Sequence, residues 1–235
     1  MPVVVSIHQP NYLPWLGYFH KMSYSDFFVF LDSVQYSPKT YTNRCYVIFN
    51  RSKTRLSIPI QLKHSSATIR EVEIDTANFA YKHLETFRHA YGKSPYFKEV
   101  MEILKPHYEV GKTNLADFNM GLIKNISAYI GFSPRFIKLS DLKINSKKNR
   151  LLIDITKQCG ADLFVSGIGA KKYIEGYEYM YIQNGITLAY QNFIHPEYPQ
   201  GRPPFISGCS IIDLVFNTGK NGYNTLTRQK KLSYE

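Results

Sequence analysis

The hydrophobic pattern begins with a short β-branched run, Val3 to Ile7, that stops at a cluster of polar, proline and aromatic residues, His8-Gln9-Pro10-Asn11-Tyr12-Leu13-Pro14-Trp15-Leu16-Gly17-Tyr18. An amphipathic segment resumes through Phe19, Met22 and Tyr24, so the opening reads as strand, loop, helix. Phe27 to Leu31 predicts a second buried strand, ending in Asp32-Ser33-Val34-Gln35-Tyr36, at a spacing that fits a right-handed βαβ crossover. Cys45 to Phe49 and Leu56 to Ile60 flank Asn50-Arg51-Ser52-Lys53 as a hairpin, Pro59 places its second arm at an edge, and Val72 to Ile74 adds a short strand.

The middle of the chain has helical periodicity. Asn78 opens a helix from Phe79 to Tyr91 closed by Gly92, Pro95 opens another from Tyr96 to Tyr108, and Asn114 caps a third that runs to Gly131. Residues 78–131 therefore predict a helical lobe inserted between two halves of a sheet. Alternation then returns with strand-like Arg135 to Lys138, a helix from Lys148 to Cys159, a strand from Asp162 to Val165 and another from Thr187 to Tyr190. Ser210 to Phe216 reads as a closing helix, and Thr218 to Glu235 as a polar, basic, disordered tail. The expected fold is α/β: one domain over 1–217, with a mainly parallel open sheet of Rossmann or nucleotidyltransferase type, an inserted β-hairpin and the helical lobe.

Length and composition agree with one packed unit: 235 residues, 44% hydrophobic. A net charge of +11 fits phosphorylated small molecules, an anionic membrane face or nucleic acid, but the excess lies in short clusters such as Lys147-Lys148-Asn149-Arg150 rather than in one long basic run. That argues against dedicated nucleic-acid binding. Cys45, Cys159 and Cys209 are far apart and in no metal-ligand spacing, which suggests reduced thiols and a cytoplasmic protein with at most peripheral membrane contact. No metal site is expected.

Chemistry belongs at the carboxyl ends of the strands, where open α/β sheets bind ligands. His8 can serve as base, oxyanion donor or core histidine, and Gln9 can only orient a ligand. Asp32, at the end of the second strand, can hold a hydroxyl or amine or simply cap a turn. Ser166-Gly167-Ile168-Gly169-Ala170-Lys171-Lys172-Tyr173 links strand to helix, and Gly167, Gly169, Lys171 and Lys172 are its candidate phosphate binders. It is neither a Walker loop nor a full GxGxxG element. The proline-rich stretch from His195 to Phe205 reads as a lid or linker carrying Tyr198, Gln200 and Arg202. Asp213, inside an apolar helix, needs a partner, for which Asn43, Arg44 and Arg150 are the candidates. The candidate substrate contacts are Tyr12, Trp15, Gln35, Tyr36, Asn43, Arg44, Tyr198, Gln200 and Asp213.

These segments, taken in order, resemble the WbqC-like family of bacteria. The resemblance rests on the block from Ile7 to Tyr18, on Phe30 to Tyr36, Asn43-Arg44, Ser166 to Gly169 with Tyr173, His195 to Gln200, and Ser210 to Leu214 with Asn217 and Gly219. It implies a cytoplasmic protein of surface-polysaccharide (O-antigen, lipopolysaccharide) assembly and carries over no catalytic residues. The expectation built on it is an enzyme that modifies a nucleotide-linked amino sugar by N-acyl or aminoacyl transfer, with ATP or another nucleotide, acyl-CoA or aminoacyl-tRNA supplying the activated acid. A weaker analogy links the opening to nucleotidyl-transferring enzymes of the pantothenate-synthetase type, but Trp15-Leu16-Gly17-Tyr18 keeps only the glycine of their His-x-Gly-His element. The rivals are a glycosyltransferase of the same pathway and a non-catalytic scaffold. The proposal requires the first loop and the glycine loop to meet at one rim of one sheet.

Overall fold

The computed structural model describes residues 1–75, 78–109, 113–201 and 204–234. Its centre is a six-stranded sheet built from β1 (Val4–His8), β2 (Phe27–Phe30), β7 (Arg135–Lys138), β8 (Leu163–Gly167), β9 (Thr187–Gln191) and β10 (Leu232–Tyr234). The strand order is β10-β9-β8-β1-β2-β7, parallel except for β10. The β1 and β8 strands are covered on both faces, which is why they appear in the chain as short continuous apolar runs.

From β1 the chain passes through α1 (Leu16–Met22) to β2 on one side, whereas β8 leads through α6 (Lys171–Ile174) and α7 (Glu178–Gln183) to β9 on the other. Right-handed crossovers running in opposite directions place their helices on opposite faces. Accordingly α1 packs into the core that contains Phe28, Phe30 and Phe136. Tyr181 of α7 and Ile153 and Ile155 of α5 (Lys148–Gln158) join Val5, Ile7 and Phe164 on the other face. The direction of the chain therefore reverses between β1 and β8, and the crevice at such a reversal lies outside the carboxyl ends of those two strands.

Between β2 and β7 the chain forms a hairpin and a helical lobe. The hairpin pairs β3 (Arg44–Phe49) with β4 (Ser52–Ser57), and β5 (Ile60–Gln61) pairs with β6 (Glu73–Ile74). The turn is shorter than the sequence suggests: Asn50 and Arg51 both have positive φ, closing it in two residues, so Ser52 to Arg55 become strand. The lobe consists of α2 (Phe79–Tyr91), α3 (Phe97–Glu109) and α4 (Leu115–Ile130). It packs on α8 (Ile211–Thr218) through stacked rings, Tyr91 on Phe216 and Phe97 on Phe216. Asn114 caps α4 by accepting from the Asp117 N–H at 2.8 Å, whereas Asn78 takes a left-handed conformation without a side-chain cap.

The polar carboxyl-terminal stretch is folded: α9 (Gly222–Thr227) packs against α1 and α8, and β10 adds an antiparallel edge strand to β9. Backbone pairing at an open sheet edge recruits this segment without an apolar run in its sequence. Among the described residues, no helix is long and apolar enough to cross a membrane.

Candidate functional site

A cavity of about 1140 Å³ lies at the reversal point, lined by the carboxyl ends of β1 and β8, the loop after each, α1 and the start of α5. His8 and Gly167 line the same cavity, together with Gln9, Trp15, Gly169 and Lys172. Ligand cavities commonly measure roughly 300–1,000 Å³, so this one has room for a ligand of nucleotide-sugar size.

Its electrostatic character is one-sided. Lys21, Lys147, Lys148, Arg150 and Lys172 line it, and no Asp or Glu does among the described lining residues. Arg150 is partly engaged by Asp154 one turn along α5, with Nε 2.9 Å from Oδ1. The first turn of α5 adds backbone N–H groups with no side-chain cap from Lys147, so the helix end faces the cavity with its own partial positive charge. Lys148 sits there with φ of 54°, a left-handed conformation that a side chain seldom adopts. Gly169 lies at the mouth with neither a positive φ nor any protein atom within 4 Å of where a Cβ would be, so neither backbone conformation nor internal packing requires a glycine there.

At the inner end, Lys21 is 3% exposed and its Nζ donates to the Ile7 carbonyl oxygen at 2.8 Å. Burial brings its pKa down to about 7. His8 stands edge-on to Tyr18 with ring centroids 4.7 Å apart. Burial, and then the neighbouring Lys21 charge, hold His8 well below the ordinary histidine range, so it is a neutral imidazole at neutral pH. Its Nδ1 is buried with no hydrogen-bond partner. Beside it, the Gln191 amide donates to the Gly17 carbonyl at 2.9 Å and to His20 Nδ1 at 3.1 Å, tying the end of β9 to α1. Burial lowers His20 to about 4, which keeps it the acceptor in that pair.

Several candidates lie elsewhere. Lys171 does not line the cavity; its ammonium lies over the Tyr190 ring, 5.6 Å from the centroid. Asp32 is buried at the end of β2, where Oδ1 accepts from the Ser140 N–H at 2.9 Å and Oδ2 from the Ser140 hydroxyl at 2.6 Å. This is the turn-capping role. β2 is one strand removed from the reversal point, and the carboxylate faces the loop after β7 rather than the cavity. Tyr12 is fully buried in the lobe interface, its hydroxyl bonded to His83 Nδ1 at 2.7 Å and to the Tyr108 hydroxyl at 2.5 Å. Tyr36 is core, Gln35 donates to the Ser65 carbonyl at 3.3 Å, and Asn43 donates to the Ile58 carbonyl at 3.0 Å. Arg44 is half-buried at the start of β3, outside the cavity lining.

Tyr198, Gln200 and Asp213 come together, but in a separate cluster. Asp213 Oδ2 accepts from the Tyr198 hydroxyl at 2.6 Å and from Gln200 Nε2 at 2.8 Å, and Tyr91 is a third donor. These neutral groups, and not Asn43, Arg44 or Arg150, are its partners. Burial raises the Asp213 carboxyl above its ordinary range, and the hydrogen bonds pull the other way. His195 is fixed beside them: Nε2 accepts from the Gly208 N–H at 3.0 Å, which leaves Nδ1–H to donate to the Pro196 carbonyl at 3.0 Å. The cluster holds the proline-rich stretch onto α8. Arg202 lies outside the described residues.

The cavity also contains Lys21 and Gln191, which the sequence pattern did not single out, and the basic start of α5, which it marked as a charge cluster but did not assign to the site. The four-residue basic cluster at Lys147 was the visible signal for the last of these; nothing in the local pattern distinguished Lys21 from a surface lysine. No solved structure gives a significant match to the chain. The uncharacterized protein Rv1507c of Mycobacterium tuberculosis is 30% identical over 218 residues, covering 92% of this chain and 94% of that protein. With residues 9–225 matching its profile, the chain belongs to the WbqC-like protein family.

Proposed function

We propose that the protein is an enzyme of bacterial surface-polysaccharide biosynthesis that binds a nucleotide-linked amino sugar in the cavity between β1 and β8 and forms an amide on it from an activated small acid. The observation that carries this reading is the concentration of four cationic side chains, Lys147, Lys148, Arg150 and Lys172, around a cavity with no Asp or Glu among its described lining residues. Such a wall repels cations and favours a ligand bearing several phosphate charges. Lys148, Arg150, Lys172 and the amino end of α5 would neutralise the diphosphate, with the open backbone at Gly169 beside them. Trp15 and Tyr173, exposed at the rim, offer ring faces to a base or sugar.

The reacting centre would lie at the inner end. Amide formation requires a neutral amine and a stabilised oxyanion, and needs no covalent intermediate on the enzyme. The neutral imidazole of His8 can accept a proton or donate a hydrogen bond there, Gln9 can orient the acceptor, and Lys21 supplies positive charge whenever it is protonated. A ligand bound only by the folded state raises the melting temperature by mass action. Thermal-shift measurements with ATP, coenzyme A and UDP-N-acetylglucosamine should therefore give an increase with at least one. That increase should shrink in Lys148→Ala with Arg150→Ala and fall with added salt. Absence of any shift would favour the scaffold reading. A shift unaffected by both substitutions would move the site elsewhere.

A further inference from the structure

Lysines are rarely buried without a carboxylate, because an unpaired ammonium in a low-dielectric site is costly. Lys21 is buried against β1 and β2, its Nζ 2.8 Å from the Ile7 carbonyl oxygen and 6.0 Å from the Phe28 ring centroid, and it opens onto the cavity. Among the described residues, the titratable and charged groups that share the cavity with it are His8 on β1, Tyr18 on α1, Lys147, Lys148 and Arg150 at the start of α5, Lys172 and Tyr173 on α6, and Tyr177 just beyond it. None offsets a positive charge, and the cations oppose it. Burial likewise favours the neutral amine, bringing its pKa to about 7. A neutral primary amine, in a cavity whose inner walls include Ile7, Leu31, Leu152 and Phe164, is the arrangement found in lysines that attack carbonyl carbon.

We propose that Lys21 forms a reversible imine with a carbonyl compound that also carries a phosphate group. The phosphate docks at the cationic rim and the carbonyl reaches the inner end. The Lys21 nitrogen forms a bond to the carbonyl carbon, the carbon–oxygen bond breaks, and that oxygen leaves as water with the two hydrogens of the amine. No oxidant, reductant or metal enters the balance. His8, whose charge couples to that of Lys21, is the adjoining group for the proton transfers. This activity shares the cavity of the group-transfer reading but goes beyond it, since amide formation needs no imine.

The test uses the full chain with pyridoxal phosphate as the probe aldehyde, borohydride to trap any imine, and peptide mass mapping to locate it. At pH 7 the neutral fraction of Lys21 is roughly a thousandfold that of an ordinary lysine with pKa ~10.4. The expected result is a dominant adduct on Lys21 with a labelling midpoint near pH 7. Lys21→Arg, which keeps a donor for the Ile7 carbonyl, should fold and lose that adduct. If the variant does not fold, the map and pH midpoint of the unaltered protein decide alone. Adducts on Lys147, Lys148 or Lys172 with none on Lys21, or a Lys21 midpoint near pH 10, would overturn the proposal. Because the nucleotide-sugar thermal shift is read separately, losing the imine while keeping the shift sinks only this inference, and the reverse sinks only the group-transfer reading.

Discussion

Replacing Tyr198 by Phe removes one hydroxyl from the buried Asp213 cluster and leaves the ring in contact with Phe205, at a centroid distance of 5.2 Å. The lost bond is a 2.6 Å hydroxyl–carboxylate contact. Hydrogen bonds to charged groups contribute about 1.5–3 kcal/mol, and in a chain of this size each kcal/mol shifts the melting temperature by about 2–4 °C. The variant should therefore melt roughly 3–12 °C lower at pH 7.5. The sign of its pH dependence follows from burial. The folded pKa of Asp213 is raised above its unfolded value, so the folded state holds a proton that the unfolded chain has lost. The group's contribution to stability thus falls as pH rises from the unfolded pKa, ~3.9, through the folded one. Removing a donor to the carboxylate raises the folded pKa further, so the penalty of Tyr198→Phe is greatest at neutral pH. It should fall toward about 0.5–1.5 kcal/mol, typical of a neutral hydrogen bond, once Asp213 is protonated. Urea unfolding of both proteins at pH 7.5 and pH 4 measures this difference. Equal penalties at the two pH values, or a loss below about 0.5 kcal/mol at pH 7.5, would refute the argument that Tyr198 donates to a buried ionised carboxylate.

Two further outcomes separate structural from ligand-binding roles. Asp32→Ala removes the acceptor for both Ser140 donors and should cost about 3–6 kcal/mol in chemical denaturation, since each is a hydrogen bond to a charged group; any nucleotide-induced thermal shift should survive in the folded variant. Asn119→Leu leaves the Pro10 and Thr42 carbonyls, now bonded to Asn119 Nδ2 at 2.8 and 2.7 Å, without that donor in a buried site. It should destabilise by about 2–5 kcal/mol and speed amide hydrogen exchange in the loop from Gln9 to Pro14, and unchanged exchange there would show that the loop is held by other contacts.

Local pattern was sufficient where each residue's surroundings follow from its immediate neighbours. Strands buried on both faces must be continuously apolar, so β1, β2 and β8 are visible as short runs, and their polar endings marked His8, Gln9 and the Gly167 loop. Caps and turn residues likewise marked α4 and the hairpin. The same logic failed for Lys21 because amphipathic periodicity assumes one solvated face. All seven residues of α1 are buried, since the sheet, α8 and α9 surround it. Tyr12 and Tyr36 resembled cleft aromatics, and packing of the lobe made them core.

The sequence alone determined most of the elements, though not α9 and β10, as well as the mainly parallel sheet and the two loops that carry ligand-type residues, because those properties arise from period, turn chemistry and side-chain type along the chain. Only the tertiary structure decided that β8 returns beside β1 and that the basic start of α5 closes over their ends. It also turned Asp32 toward Ser140 and placed Lys21 in a cavity with no Asp or Glu among its described lining residues. The physical reason is that charge, desolvation and hydrogen-bond partnership depend on neighbours tens to more than a hundred residues away in sequence, brought together by a crossover whose direction the local pattern does not encode.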